Sequence, residues 1–277
     1  MDLSARLFRP DTLPDFLIIG AQKAGTTSLA SYLAAHPCVV SPRFKEVHYF
    51  DLNYGKGIDW YRSHFPLGRR RRLKSLLRGR RLRAGDATPY YLLHPGVARR
   101  ASDLIPAARI IILLRNPVDR AYSHYHHEVR LGMEPLSFEE AIDAETQRIA
   151  GEAERLEAQV SYESFNYQNF TYLARGIYSG QISRWLRYFR PAQFLVLSSE
   201  QFFKTPALEY GKVLKFLGLP KWELSSYPAE FAGSYPPMPA AMRGPLTEYY
   251  APHNRNLRHH LNANWPGVGD AIVDSFS

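Results

Sequence analysis

The chain has 277 residues, 45% of them hydrophobic and 13% aromatic, with a formal net charge of +9. That length can bury a substantial core within one domain, and that composition excludes an intrinsically disordered chain. No apolar run approaches the roughly 18–20 residues of a membrane-spanning helix, MDLSARLFRPDTLPD lacks the apolar stretch of a secretory signal, and Cys38 alone excludes an internal disulfide.

In chain order, residues 15–20 (DFLIIG) read as a buried strand entering a glycine loop, and residues 27–35 as the helix that follows. Residues 84–87 are a candidate strand. Residues 109–114 (RIIILL) form a buried strand, followed by a helix from Val118 to about Gly132. Ser137 and Glu140 make a capping box for a helix from Phe138 towards Ala158. Residues 193–197 (QFLVL) read as another strand. Thr205-Pro206 then opens a helix that should stop at Gly218. Residues 228–245, rich in proline and glycine, read as a loop. Near-continuous aliphatic runs alternating with helices predict a single α/β domain, with a central parallel sheet covered on both faces.

The excess charge is local. Arg69, Arg70, Arg71, Arg72, Lys74, Arg78, Arg80, Arg81 and Arg83 carry nine positive charges with no acidic residue between them. Without these, 26 basic residues face 26 acidic ones. The run is either a solvated loop or helix face, or a docking strip for an anionic partner.

Gly20-Ala21-Gln22-Lys23-Ala24-Gly25-Thr26-Thr27 joins the first strand to its helix. Glycines turn the backbone so that its N–H groups converge on an anion, and the helix N-terminus adds partial positive charge. The phosphate loop of kinases and NTPases needs lysine directly after the second glycine, then Ser or Thr for magnesium. Here Thr26 stands at the lysine position and Lys23 lies inside the loop. The strand at 109–114 ends in Arg115 rather than in a magnesium-binding Asp. The loop therefore suits a metal-free 5′ anion held by backbone, hydroxyls and one lysine.

PDFLIIGAQKAGTTSLASYL resembles the 5′-phosphosulfate loop of sulfotransferases that use 3′-phosphoadenosine 5′-phosphosulfate (PAPS), in particular the heparan sulfate branch and its bacterial relatives. Arg115-Asn116-Pro117-Val118-Asp119-Arg120-Ala121-Tyr122-Ser123 resembles that family's 3′-phosphate signature, in which Arg115 and Ser123 would grip the phosphate. The likeness runs over residues 14–266, leaving 1–13 and 267–277 as terminal extensions. It implies a P-loop-like strand–loop–helix and a cofactor site of Lys23, Ala24, Gly25, Thr26, Thr27, Ser28, Arg115 and Ser123. Gly233, Ser234 and Tyr235 would cover the nucleotide. No metal is expected.

For the chemistry, the resemblance points to Lys23 at the bridging oxygen and to Glu46, in Lys45-Glu46-Val47-His48-Tyr49-Phe50-Asp51, as general base. In an extended segment Glu46 and His48 share one side, so His48 could orient the acceptor or share the proton. Asp51, Arg175 and Tyr178 are the expected acceptor contacts. Where the glycan enzymes carry a lysine, this chain has Ala87, which weakens a transfer of glycan specificity. The aromatic stretch Tyr162, Phe165, Tyr167, Phe170, Tyr172 and Tyr178 reads as packing, with a sugar platform as the alternative. His124-Tyr125-His126-His127 read as part of a surface helix.

The expectation is a cytoplasmic enzyme with a carbohydrate or small-molecule acceptor, and no nucleic-acid partner. A kinase-like phosphotransferase and a non-catalytic polyanion-binding module are the competing readings.

Overall fold

A computed structural model of the chain describes residues 12–65, 82–230 and 234–276. Five strands form one sheet: β1 (Phe16–Gly20), β2 (Val39–Val40), β3 (Arg83–Ala87), β4 (Arg109–Leu114) and β5 (Phe194–Ser198). Every pairing is parallel, in the order β2-β3-β1-β4-β5. All of β1 is buried, and so is β4 after its first residue. Both faces are therefore covered, which is why these strands show no polar alternation.

The helices are α1 (Thr26–Ala34), α2 (Ile58–Ser63), α3 (Val97–Leu104), α4 (Pro117–Arg130), α5 (Phe138–Arg148), α6 (Glu152–Ala158), α7 (Phe165–Asn169), α8 (Tyr178–Leu186), α9 (Ser199–Lys204), α10 (Pro206–Leu217), α11 (Ala240–Asn264) and α12 (Val268–Asp274). From β1 the chain runs to β2 at the sheet edge, returns to β3 between the two, then crosses to β4 and β5 on the other side. The order reverses at β1/β4, and a crevice opens there beyond the carboxyl ends of the strands. The loop after β1 and Arg115 after β4 both emerge at that crevice.

Four expectations need correction. The helix expected from Phe138 towards Ala158 keeps its capping box, but it breaks after Arg148 and restarts at Glu152. Gly151 makes the turn at φ 72°, a conformation that costs glycine nothing and other residues more. The expected loop at 228–245 gives way to helix α11 from Ala240, with Pro245 inside it. Leu246 and Tyr250 pack there against Val118 and Tyr122 of α4, and this burial outweighs the proline's lost hydrogen bond. The packed fold also extends past residue 266, since Ile272 of α12 and Phe276 join the main core. Within the basic run only Arg83 lies among the described residues. It is fixed rather than free: it pairs with Asp15 at 3.1 Å and donates to the carbonyl of Leu217.

Candidate active site

Between β1 and α1 the backbone makes a tight turn whose geometry suits an anion. Gly25 caps α1 in the left-handed region (φ 94°), no side chain caps the helix, and its first turn holds no acidic residue. The first N–H groups of a helix lack internal partners, so an uncapped N-terminus offers them outward together with a positive dipole. A Cβ on Gly25 would stand 2.9 Å from the tip of the exposed Phe203 ring, and the left-handed φ strains any larger residue there. Ala24 is buried and its N–H donates to the Ala21 carbonyl at 3.1 Å; it shapes the loop. Ser28 is buried too, and its hydroxyl accepts from the Glu230 N–H at 2.9 Å. That leaves Thr26 and Thr27 as the loop hydroxyls lining the cleft.

Lys23 also has a left-handed backbone, φ 69°. Burial lowers its ammonium pKa to about 8, and the charges of Arg130 and Arg115 act in the same sense, with Glu128 opposing them.

The second wall comes from β4 and α4. Arg115 directly follows β4, and its Nη1 donates to the Lys23 carbonyl at 3.0 Å. Asn116 caps α4 by accepting from the Val118 N–H at 2.9 Å, with Pro117 in the first turn. Along α4, Asp119, Ser123, His127 and Arg130 follow at helical spacing and line one cleft of about 1030 Å³. The same cleft takes in Lys23, Lys45, Glu46 and Tyr235. Tyr235 stacks on His126 with ring centres 4.6 Å apart. Ser234 is exposed and outside the lining, and Gly233 lies outside the described residues.

Lys45, His127 and Arg130 were not assigned to the site from sequence. The signal was present for two of them, four and seven residues after Ser123 on the same helix. Burial, then the charges of Lys23 and Arg130, push His127 down to about 4. It is therefore a neutral imidazole whose Nδ1 faces Arg130 Nη2 at 2.9 Å.

Glu46, His48 and Asp51 form a chain of charge. Nδ1 of His48 lies 2.7 Å from Oδ2 of Asp51, and Nε2 lies 3.4 Å from Oε2 of Glu46. Lys45 bonds the other oxygen of Glu46. Burial alone would lower the His48 pKa, but the hydrogen bonds and charges of Asp51 and Glu46 raise it to about 10. Burial would raise Glu46, yet bonds from His48 and Lys45 hold it at about 2. His48 is thus kept as a cation, which suits orienting and charge balance rather than accepting a proton. The segment is not extended as expected: Glu46 (φ 63°) and His48 (φ 52°) are both left-handed, and they meet because of those turns. Among the described residues, Lys23, Glu46 and His48 are the non-glycine residues with positive φ. Such conformations cost on the order of 1–3 kcal/mol each and collect at functional sites.

The three expected acceptor contacts stand one layer behind the cleft. Asp51 is buried against His48, and its other oxygen accepts from the Leu52 N–H at 2.7 Å. Arg175 is buried and bonds Thr171, the Gln168 carbonyl and the Gln22 side chain, so it props the anion loop. The Tyr178 hydroxyl donates to the Arg115 carbonyl at 2.8 Å and props the other wall. Of the aromatic stretch, Tyr167, Phe170, Tyr172 and Tyr178 are buried, whereas Phe165 is exposed. His124 is fully buried, which overturns the surface-helix reading.

A parallel sheet that aims an uncapped helix N-terminus, a loop lysine and a strand-end arginine into one cleft defines an α/β protein of the phosphate-loop type. A family model, the sulfotransferase domain, matches residues 13–230, and the chain belongs to the sulfotransferase family. It is 33% identical to the human bifunctional heparan sulfate N-deacetylase/N-sulfotransferase 3 over 89% of this chain. It is 34% identical to the human bifunctional heparan sulfate N-deacetylase/N-sulfotransferase 2 over 76%. The chain spans only 30% and 22% of those relatives. The crystal structure of a sulfotransferase from Alicyclobacillus acidocaldarius is similar with a TM-score of 0.64 and 32% identity, covering 90% of this chain and 95% of that one. Among the described residues, no helix is long and apolar enough to cross a membrane.

Proposed function

We propose that the protein transfers a sulfuryl group from PAPS to a hydroxyl or amine of a carbohydrate or small-molecule acceptor. The observation that carries this reading is the single cleft into which Lys23, Glu46, Arg115 and Ser123 converge from three segments, the loop after β1, the 45–51 stretch and the β4–α4 unit. Its donor set fits the cofactor. The uncapped α1 N-terminus with Lys23 and Thr27 suits a 5′ anion, and Arg115 with Ser123 suits a second phosphate. The fit requires no metal.

The cofactor supplies an activated sulfuryl group; positioning and charge neutralisation are left to the protein, by analogy with phosphoryl transfer. Lys23, as an ammonium, holds the oxygen that gains charge as the donor bond breaks. Glu46 accepts the acceptor's proton. A carboxylate held at about 2 is a weak base, so its use rests on close placement and on an acceptor proton that grows acidic in the transition state. His48, steadied by Asp51, fixes the orientation of Glu46. His127, whose Nδ1 accepts from Arg130, steadies that guanidinium at the cleft wall.

The names of the relatives support a glycan amine as the first acceptor to test. Cys38, buried and unpaired, fits a cytoplasmic setting. Incubation with isotopically labelled PAPS and a panel of amino- and hydroxyl-bearing acceptors should yield products heavier by one sulfuryl group. Transfer from ATP with magnesium instead of PAPS would overturn the proposal.

A further inference from the structure

Residues 46–48 belong to no helix or strand, so the backbone there needs partners from elsewhere. Asn53 supplies them. Its main-chain N–H donates to the His48 carbonyl at 2.8 Å. Its side-chain Nδ2 donates to the same carbonyl at 3.0 Å and to the Val47 carbonyl at 3.1 Å. Both partners are carbonyl oxygens, so only the NH2 end of the amide can face them. Asn53 stands at the N-cap of the short turn Tyr54–Lys56, where an asparagine oxygen normally accepts from that turn's own N–H groups. No such bond is made, and the amide is committed backwards to residues 47 and 48 instead.

Two further side chains hold the strip beyond His48. The Tyr91 hydroxyl accepts from the Tyr49 N–H at 2.9 Å and donates to the buried Asp86 at 2.9 Å. Nη1 of the buried Arg100 donates to the Phe50 carbonyl at 2.8 Å. Those contacts fix residues 49 and 50, whereas Asn53 grips Val47 and His48. Val47 sits between the left-handed Glu46 and His48. The turn so clamped brings Nε2 of His48 to 3.4 Å from Oε2 of Glu46, while Nδ1 stays 2.7 Å from Oδ2 of Asp51. A left-handed backbone at Glu or His is costly and persists only where the surroundings over-determine it. The Asn53 amide is neutral, so it acts on this pair through geometry and not through charge.

We propose that Asn53 is a positioning residue for sulfuryl transfer: its amide holds the backbone turn that sets Glu46 against His48, and so fixes how Glu46 meets the acceptor's proton. The inference rests on the transfer chemistry proposed above. Without the amide, the His48 carbonyl keeps only the bond from the Asn53 main-chain N–H, and the Val47 carbonyl loses its Asn53 partner. The positive φ of His48 is then held less firmly, and the chain relaxes towards commoner conformations. The His48 ring leaves its place between two carboxylates, and Glu46 loses its fixed orientation. Turnover suffers, while the groups proposed for the nucleotide, Lys23, Arg115 and Ser123, stand on other segments and keep their places.

Asn53→Leu keeps the approximate size of the side chain, changes no charge and removes both side-chain donations. Turnover from PAPS to a saturating acceptor should fall by roughly tenfold to a hundredfold, the scale for a displaced catalytic group. The dissociation constant of 3′,5′-adenosine bisphosphate should stay within about twofold of the wild type. NMR of the imidazole gives a second readout. The His48 ring, whose pKa is about 10 in the wild type, should titrate about one pH unit or more lower in the variant. A contact that only stabilised the fold would not move that titration. Asn53→Ser retains a hydroxyl donor on a shorter stem; it guards against misfolding of the first variant and should lose less turnover. An unmoved His48 titration in Asn53→Leu would overturn the proposal, and so would turnover within about twofold of the wild type. Turnover and nucleotide affinity lost together would overturn it too, leaving a role in stability only. A wild type that transfers nothing from PAPS would instead overturn the sulfotransferase reading, while the His48 titration would still decide whether Asn53 sets the turn.

Discussion

Nη1 of Arg115 donates to the carbonyl oxygen of Lys23 at 3.0 Å across 92 positions of sequence. Adjacent parallel strands make that contact possible, with Ile18 paired to Ile111 and the Ala21 N–H bonded to the Leu113 carbonyl at 2.7 Å. The loop after β1 and the residue after β4 are thereby held as one unit. Arg175 props the first side through Gln22, and Tyr178 props the second through the Arg115 carbonyl. Under the proposed function, two walls held together in this way should select ligands by the spacing of two phosphates.

The first prediction follows from that spacing. 3′,5′-Adenosine bisphosphate should raise the melting temperature more than 5′-AMP does, and more than ATP with magnesium does. A ligand selective for the native state stabilises it by mass action. Arg115→Ala should remove most of the preference, read by scanning fluorimetry at matched ligand concentration. Equal shifts with 5′-AMP would show that the second anion site is not used.

The second concerns proton transfer. Glu46→Gln should cut turnover by roughly a hundredfold or more, the usual scale for losing a general base, while nucleotide affinity changes little. His48 is held protonated by Asp51 and Glu46, so it is no substitute base. If Glu46→Gln kept near-normal turnover, the assignment of Glu46 as the base would be wrong.

The third concerns Lys23, whose pKa falls from 10.5 in the unfolded chain to about 8 in the fold. The fold therefore disfavours its charge, and that penalty is present below about pH 8 and gone above about pH 10.5, where both states are neutral. Lys23→Met should match or exceed the wild type in urea stability at neutral pH, lose the advantage at alkaline pH, and bind nucleotide poorly throughout. A variant less stable than wild type at neutral pH would contradict the burial argument.

The fourth concerns His48, raised from 6.5 to about 10. A base whose pKa rises on folding contributes stability that is complete below its unfolded pKa and fades as pH climbs towards the folded value. The loss of stability in His48→Asn should thus be larger near pH 6 than near pH 10. In the wild type, the His48 ring should remain protonated by NMR beyond about pH 9, and Asp51→Asn should bring its titration down. A ring that titrates near 6.5 would break the Asp51–His48–Glu46 chain.

Much of this was legible in the residues themselves. The strands declare themselves through unbroken aliphatic runs, because a strand covered on both faces has no polar side to display. The loop after β1 declares itself as a strand–helix turn through its glycines, because local spacing fixes that backbone. The Ser137–Glu140 cap was readable for the same reason: its partners are three residues apart.

What the tertiary structure alone decided concerns groups that meet through folding. A left-handed Glu46 and His48 carry no signature in side-chain type, since neither residue prefers that backbone, and packing has to hold them there. Arg175 reaches Gln22 across 153 positions, so its burial behind the loop, rather than contact with an acceptor, could not be read from its neighbours. His124 and Glu128 differ from His127 only by their angle around α4, and which angle faces the cleft depends on how that helix seats against the rest of the fold. Residue identity sets the chemistry available to this protein. The charge each group carries depends on burial and on partners brought from distant parts of the chain, because desolvation and Coulomb interactions act through space rather than along sequence.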